Sequence, residues 1–263
     1  MTNRTISDET PSLGRARPLG SFAVTLLASL LMVAVSAAQS APVASDSLSK
    51  TIQDGEHQLE DGRTTLNEQT LLAARNAFAD CVHEDSKNAR CYYDLARADY
   101  YLKSSRELQK DKKGAEHWLD QGITDVQQSI ALNDRSADAH ALLGDFYGQK
   151  ISGMMSGMKY GPKANAETEH AFQLDPSNPQ AFAVIGRKYL FAPSMFGGNI
   201  DKAIDSFRKA TTLDPHYDEA FAWLSIAYRK KGNAQEAQKA IDDALRLNPR
   251  SVFAKRIQAG EAP

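Results

Sequence analysis

The stretch Asp218–Pro249, DEAFAWLSIAYRKKGNAQEAQKAIDDALRLNP, decides the fold of this chain. Its first half carries apolar residues at helical spacing, at Phe221, Leu224 and Tyr228, and Gly232 follows a basic last turn. A glycine directly after basic residues is typical of a helix C-terminus. The second half repeats the apolar spacing until a proline stops it. The stretch is therefore predicted to form two amphipathic helices joined by a short break.

Two such helices cannot bury their apolar faces alone, so the rest of the chain is expected to supply copies that stack on them. Small residues at Ser225 and Ala237 allow the two helices to approach closely. Three earlier segments carry an aliphatic residue at the position of Leu224 and a small residue at that of Ser225. The aliphatic residues are Leu95, Leu143 and Ile185, and the small ones are Ala96, Gly144 and Gly186. The residues aligned with Ala237 are Ala74, Gly122, Ala164 and Ala203.

These units resemble the tetratricopeptide repeat (TPR), a helix–turn–helix unit of about 34 residues with this run of small and aromatic positions. The phrases AFQLDPSNPQAFAVIG and ATTLDPHYDEAFAWLS are characteristic junctions between such repeats. The resemblance covers residues 47–249, with 251–259 as a closing helix. It implies an all-α, right-handed α-solenoid of about five helix pairs plus a C-terminal capping helix. It also implies a non-catalytic protein–protein interaction or scaffold module.

Two segments carry a weaker resemblance to a particular kind of repeat protein. GMMSGMKYGP and APSMFGGN are similar to segments of exported bacterial repeat proteins, including the soluble repeat subunit of tripartite (TRAP-type) solute transporters. This resemblance implies an alternative function, a transporter-associated subunit that contacts a solute-binding protein and passes a small apolar ligand. An enclosed apolar channel would favour ligand passage, and an open groove would favour peptide docking.

The N-terminal region has the order of a secretory signal peptide. Arg15 and Arg17 precede an apolar run over 22–35, and small residues follow. The run is shorter than the roughly 20 apolar residues of a membrane span. The chain is therefore expected to be exported, periplasmic or secreted, in a bacterial cell envelope; the alternative is an uncleaved signal anchor. The expected divisions are a signal peptide and flanking tail over 1–40, a disordered lead-in over 41–46, and the solenoid over 47–263, with its first helix broken at 62–65.

The middle three units are longer than the consensus between their first and second helices. The added segments are Lys103–Gly114, Ile151–Pro162 and Phe191–Asn199. The first is predicted to be a charged loop or a frayed helix, and Pro162 suits the first turn of the helix that follows. Because insertions at one repeat position project from one edge of a solenoid, the three are expected to cluster along one rim.

Methionine, aromatic and glycine residues in these segments suit an adaptable contact surface. The candidate partner-binding residues on the rim are Met155, Met195, Phe196, Gly197 and Gly198, with Met154, Met158 and Tyr160 beside them. The alternative is that these side chains cap the solenoid's own core.

The resemblance also implies a concave surface lined by the first helix of each unit. Carried over by position, the candidate binding residues there are Tyr93, Arg97, Tyr100, Asp145 and Arg187, with Tyr101, Asp138, Gln149, Glu219 and Arg229 as further groove-facing positions. Tyrosine and arginine are typical of binding hot spots. The alternative is a solvated face of mixed charge.

Cys81 and Cys91 are the two cysteines of the chain. One lies near the end of a second helix and the other near the start of the next first helix, so they can form a disulfide in an oxidising compartment. The alternative is two buried thiols, since both occupy positions that the repeat gives to alanine.

Composition and motifs argue against other classes of function. The formal net charge is −2, whereas nucleic-acid binders usually carry a basic excess. The sequence contains neither HExxH nor GxSxG nor a phosphate-binding glycine loop, so we predict no catalytic residue, cofactor or metal. The expected partner is a protein or peptide, with no membrane span after signal cleavage. An enzyme with a loop-borne site is the remaining alternative, and the oligomeric state is not predicted.

Overall fold

A computed structural model describes residues 41–262 of the chain, with side-chain surroundings from residue 47 onward. The predicted signal peptide and flanking tail, residues 1–40, lie outside the described residues. Over the described range there are eleven α-helices and one 3-10 turn. The first helices are α1 (Ala41–Thr65), α2 (Glu68–Glu84), α3 (Ala89–Leu108), α4 (Lys112–Leu132), α5 (Ala137–Gln149) and α6 (Met154–Leu174). The others are α7 (Pro179–Phe191), the 3-10 turn (Ser194–Phe196), α8 (Ile200–Leu213), α9 (Asp218–Lys231), α10 (Ala234–Leu247) and α11 (Val252–Gln258).

The helices pack in consecutive pairs, α1 with α2, α3 with α4, and so on to α9 with α10. The short α11 then packs on both α9 and α10. Several first helices also touch one another, α1 with α3, α5 with α7 and α7 with α9. The predicted all-α solenoid of five helix pairs with a capping helix is confirmed. None of the helices in residues 41–262 has the length and apolar character needed to cross a bilayer.

Side-chain caps mark most of the helix starts. Asparagine, aspartate or serine accepts a hydrogen bond from the first turn of eight helices, which satisfies a backbone N–H that has no partner inside the helix. These caps are Asn67, Asn88, Asp111, Ser136, Asn178, Asn199, Asn233 and Ser251. The junctions between repeats therefore end one helix and begin the next within a few residues.

Small residues bring neighbouring helices together as the repeat pattern predicts. A Cβ atom on Gly122 of α4 would lie 2.4 Å from Cζ of Phe146, and one on Gly186 of α7 would lie 2.7 Å from Cε1 of Phe207. In the last repeat, the Ser225 hydroxyl donates to a carbonyl of the facing helix over 2.7 Å. The large core side chains fill the space that these small positions leave.

Helix α1 differs from its prediction at both ends. The sequence predicts a disordered lead-in over 41–46 and a break at 62–65, whereas the helix runs without interruption over Ala41–Thr65. A proline in the first turn is compatible with a helix, because the N–H it lacks would have no helical partner. Gly62 does not end the helix but allows contact with α2, since a Cβ there would lie 2.6 Å from Cδ2 of Leu71.

Two of the three lengthened segments are mainly helix and not loop. In the first, α3 continues to Leu108 and α4 begins at Lys112, so a three-residue turn remains. In the second, α6 begins at Met154, which places Pro162 inside the helix and corrects its predicted place in the first turn. The early start of α6 is explained by Ser156, whose hydroxyl accepts hydrogen bonds from the N–H groups of residues 152 and 153. The third segment remains a loop around the 3-10 turn.

The first helix of the solenoid meets the last repeat. Arg63 donates to Asp218 over 2.9 Å, and the Asn248 amide donates to the Thr64 hydroxyl over 3.1 Å. A further ion pair joins Asp61 to Arg250 over 2.6 Å, and α1 also touches α11. The solenoid therefore closes on itself, and its concave surface surrounds an inner space.

Candidate functional site

The inner cavity is the space that the five first helices and the segment 214–219 enclose, with a volume of about 220 Å³. Most of its lining is polar or charged. The polar lining residues are Arg63, Tyr93, Arg97, Tyr100, Tyr101, Asp145, Gln180, Arg187, Asp214, His216, Tyr217, Asp218 and Glu219. Ala141, Leu142 and Val184 supply the apolar part.

All five residues predicted for the concave surface, Tyr93, Arg97, Tyr100, Asp145 and Arg187, line this cavity, as do Tyr101 and Glu219. The polar lining residues that the sequence reasoning missed include Arg63, His216 and Tyr217, besides Gln180, Asp214 and Asp218. Arg63 lies in the region predicted to break the first helix, and His216 and Tyr217 lie in a junction interpreted only as a turn. They reach the cavity because the solenoid closes. Asp138, Gln149 and Arg229 are not among the lining residues.

Arg187 of α7 and Asp145 of α5 form a two-pronged ion pair inside the cavity wall. The guanidinium donates from Nε over 3.1 Å and from Nη2 over 2.7 Å to the two carboxylate oxygens. Burial alone would lower the pKa of Arg187, but Asp145 and nearby tyrosines raise it above its usual value. The guanidinium also lies 5.5 Å from the ring of Trp223. This pair joins α5 to α7 in the cavity wall and uses two of the five N–H donors of Arg187.

Arg97 of α3 is less fully paired. Its Nη1 donates to Asp94 over 3.0 Å, and the same carboxylate accepts from Arg90 over 2.6 Å. The Arg97 side chain keeps 30% of its surface exposed and lies 5.8 Å from the Tyr93 ring. Since Arg97 makes one hydrogen bond in the described part of the chain, four of its five N–H donors are unused.

Tyrosine hydroxyls make up much of the rest of the lining. Tyr93 donates to Gln180 over 3.5 Å, and Tyr101 donates to Glu219 over 3.0 Å. Burial raises the pKa of Tyr93 to about 12 and raises that of Tyr100, Tyr101 and Tyr217 above the usual value. All four hydroxyls therefore stay protonated at neutral pH and can donate hydrogen bonds. Burial also raises the pKa of Glu219, against the opposing effect of Arg63.

A second candidate surface lies outside the cavity, at the N-terminal end of α6. The α6 face, formed by Met154, Met155 and Met158, is 66%, 82% and 71% exposed. Tyr160 differs from these methionines because it is partly buried and stacks on Tyr147 with ring centroids 6.0 Å apart. Tyr160 therefore helps to cap the core of the solenoid, whereas the three methionines face solvent.

Two lysines border the α6 face. Lys159 lies 4.8 Å from the Tyr160 ring, and Lys163 lies 5.5 Å from the Tyr147 ring. Neither ammonium group has a carboxylate partner in the described part of the chain. The α6 face is thus an apolar surface with unneutralised positive charge beside it.

The loop of the third lengthened segment is also apolar and exposed, with Met195 at 78% and Phe196 at 55%. Gly197 has a φ of 92°, which favours glycine, and a Cβ on Gly198 would lie 1.8 Å from the Ala192 carbonyl oxygen. The two glycines therefore shape the loop backbone. Phe191, at the start of the loop, packs edge-on against Trp223 at 5.8 Å.

The first two lengthened segments adjoin one another. They border an open hollow of about 440 Å³, lined by Lys103, Glu107, Lys110, Lys112, Ala115, Glu116, Leu119, Gln149, Lys150 and Ser152. The third segment contributes no residue to this lining and instead contacts α9 through Trp223.

Cys81 and Cys91 are joined by a disulfide, with their Cα atoms 6.1 Å apart. The bond links the end of α2 to the start of α3, across the junction between the first two repeats. Across residues 41–262, no group of three or more histidine, cysteine or acidic side chains is placed to hold a metal ion.

Comparison with known proteins agrees with this architecture. A tetratricopeptide-repeat family model matches residues 197–259. TTC0263, a thermophilic TPR protein of Thermus thermophilus, has a TM-score of 0.57 at 19% identity, over 78% of this chain and 97% of that one. The APC/C hetero-tetramer Cut9–Hcn1 has a TM-score of 0.50 at 17% identity, over 81% of this chain and 37% of that one. A search of curated proteins gave no match.

Residues 197–259 match the tetratricopeptide-repeat family model, and the described residues share the fold of TPR structures. Proteins of this fold serve in general as non-catalytic modules for protein–protein interaction. The sequence identity to these structures is below 20%, so the similarity shows a shared fold alone.

Proposed function

We propose that this chain is an exported interaction module of the bacterial cell envelope that binds a protein partner on the α6 face. The observation that carries this proposal is the exposure of three adjacent methionines, at 66–82%, on a helix end that the repeat consensus lacks. Flexible methionine side chains adapt to varied partner shapes. Contiguous exposed apolar residues on a soluble domain commonly mark an interaction site.

The charge beside the α6 face indicates the chemistry of the partner. Lys159 and Lys163 lie one and two helical turns beyond Met155 along the same face. A partner segment with apolar side chains next to aspartate or glutamate would cover the methionines and neutralise both ammonium groups. Such complementarity raises the association rate and favours this partner over basic ones.

The closed concave surface makes it a poor site for a peptide. Its volume of about 220 Å³ is below the roughly 300–1,000 Å³ typical of pockets for small-molecule ligands. A standard protein interface buries about 800 Å² on each partner, which needs an open surface. A partner protein is therefore proposed on the outside of the solenoid.

Two features support export to an oxidising compartment. The N-terminal sequence has the order of a signal peptide, and a disulfide links Cys81 to Cys91. Disulfides persist in secreted and periplasmic proteins and are rare in the cytosol. Fractionation of a native host with mass spectrometry tests this: we expect a shortened chain in the periplasm or medium. A full-length chain in the membrane fraction would instead identify an uncleaved anchor.

The transporter-associated alternative divides into two parts. Passage of an apolar ligand required an enclosed apolar channel, and the polar inner cavity does not favour it. Contact with a solute-binding protein remains compatible with the exposed α6 face and would be one form of the proposed interaction.

Site-specific photo-crosslinking tests the proposed surface. A photoreactive amino acid at Met155 in the native host should yield a discrete crosslinked protein, while one at the exposed Lys239 of α10 should not. The captured partner, once purified, should bind a Met155→Asp chain at least tenfold more weakly. Equal crosslinking from both positions, or equal affinity, would overturn the proposal.

Charge reversal provides the matched test of partner chemistry. The double change Lys159→Glu and Lys163→Glu should weaken binding of that partner at low salt, and the difference should shrink as salt is added. The control Lys239→Glu should bind like the unmodified chain. A salt-independent affinity in the double variant would contradict the proposed acidic segment.

A further inference from the structure

Several hydrogen-bonding groups in the inner cavity have few or no partners. The proposed binding of a protein at the α6 face does not involve them. Arg97 uses one of its five N–H donors, on a carboxylate that it shares with Arg90. The hydroxyls of Tyr100 and Tyr217 reach the same cavity and have no hydrogen-bond partner in residues 41–262. One end of the cavity therefore offers donors for an anionic group.

Arg97 has more unused donors than the other cavity arginines, and its guanidinium fits a carboxylate. The planar fork of an arginine matches the two oxygens of a carboxylate, and hydroxyl donors can complete the site. The lining as a whole does not favour a multiply charged anion. It holds three arginines against four carboxylates, Asp145, Asp214, Asp218 and Glu219, so its formal charge is −1.

Glu219 supplies a complementary group for a cation. Its Oε1 accepts from the Tyr101 hydroxyl over 3.0 Å and lies 3.5 Å from Arg63, while its other oxygen has no such contact in the described part of the chain. Tyr101 also interacts electrostatically with Arg97. Arg97 and Glu219 thus line the same cavity, and both interact with Tyr101.

The geometry points to a binding site for a small zwitterionic amino acid in the inner cavity, with its carboxylate on Arg97 and its ammonium group at Glu219. The cavity volume of about 220 Å³ suits a ligand of the size of a single amino acid. The exposed 30% of the Arg97 side chain shows that solvent reaches this group. This inference is independent of the α6 face.

Calorimetric titration of the full chain with single L-amino acids tests the site, with sodium acetate, ammonium chloride and sodium phosphate as probes of each half. At least one amino acid should bind at micromolar to millimolar concentration, and more tightly than acetate or ammonium. The proposal would be overturned if no amino acid bound, or if acetate bound as tightly as the best amino acid. It would also be overturned if phosphate bound more tightly than that amino acid.

Matched variants locate the binding. Arg97→Met should weaken the affinity for the bound amino acid at least tenfold, and Tyr100→Phe, which keeps the ring packing, should weaken it severalfold. The control Arg246→Met removes an arginine from the outside of α10 and should leave the affinity unchanged. If Arg97→Met does not fold, Tyr100→Phe alone decides, and an unchanged affinity in that variant would overturn the assignment.

Discussion

At the scale of single residues, the least expected feature is a fully buried carboxylate. Asp99 occupies a position where later repeats carry the tyrosines Tyr147, Tyr189 and Tyr228. Its Oδ1 accepts from Nε of Arg75 over 2.6 Å, and Arg75 also pairs with Asp125 over 3.3 Å. The second Asp99 oxygen is buried without a hydrogen-bond partner in the described residues. The Arg75 guanidinium therefore pairs with two carboxylates at a largely buried position.

Asp99 should make stability depend on pH. Burial raises its pKa from 3.8 to about 8, against the opposing effect of Arg75. Between these values the folded chain holds a proton that the unfolded chain releases. The free energy of unfolding should therefore fall as pH rises from about 5 to about 8, by at most about 1.4 kcal/mol per pH unit.

The isosteric change Asp99→Asn keeps the acceptor for Arg75 and removes this titration. Urea unfolding across that pH range should show a flatter profile in the variant than in the unmodified chain. Asp243→Asn, on the outside of α10, should retain the original slope. Parallel profiles in all three chains would show that Asp99 titrates normally.

The disulfide should contribute measurably to stability. Closing a loop of 10 residues restricts the unfolded chain and corresponds to about 2–3 kcal/mol on the loop-entropy estimate. Since both cysteines occupy positions that other repeats give to alanine, the double change Cys81→Ala and Cys91→Ala should fold and lose about that amount. Two free thiols in the unfolded, unreduced chain would contradict the bond.

At the scale of secondary-structure elements, close helix contact depends on glycines without space for a methyl group. Gly122→Ala would place its Cβ 2.4 Å from the Phe146 ring, and overpacking of this kind costs about 1–3 kcal/mol. Gly148→Ala in α5 meets no atom within 4 Å and should be neutral or stabilising by up to about 1 kcal/mol. Thermal unfolding of both variants measures the difference, and equal melting temperatures would contradict the packing.

The exposed methionines should matter little for folding. Met155→Ala combined with Phe196→Ala should change the free energy of unfolding by less than about 1 kcal/mol, because both side chains are more than half exposed. Leu190→Ala, at 1% exposure, should cost about 2–5 kcal/mol. A large loss in the double variant would show that these residues cap the core instead of facing a partner.

The helix pairs were predictable from sequence because local periodicity and junction residues determine them. The register of Leu224, Ser225 and Ala237 identified the first and second helix of each pair, and the resemblance to the repeat family then implied five of the cavity residues. The lengthened segments were harder to predict. The start of α6 depends on hydrogen bonds to Ser156, and the first lengthened segment contains only a three-residue turn. A few capping hydrogen bonds decide between helix and loop in such segments, and amino-acid composition does not reveal them.

At the scale of the whole solenoid, closure was not predictable. It results from small rotations accumulated over five units, and it is held by contacts between residues far apart in sequence. Arg63 and Asp218 are 155 residues apart, and Asp61 and Arg250 are 189 apart. Closure makes the predicted concave surface the lining of a small polar cavity, and so moves the proposed protein partner to the outside.

Closure also explains why Arg63 should be important. Its guanidinium pairs with Glu60, Asp218 and Glu219, and its side chain is 18% exposed. Removing one member of a buried charge group leaves the others without compensation. Arg63→Met should therefore weaken the contact between α1 and the last repeat, whereas Arg246→Met on the outside of α10 should not.

The distance between the two ends of the solenoid tests closure most directly. Spin labels can be attached at two exposed positions, His57→Cys in α1 and Lys255→Cys in α11. Pulsed electron paramagnetic resonance then measures the distance between the two labels while the native disulfide stays intact. We expect one narrow distribution at a short distance, which lengthens and broadens in the Arg63→Met background. A broad or long distribution in the otherwise unmodified chain would mean that the solenoid is open and that no inner cavity exists.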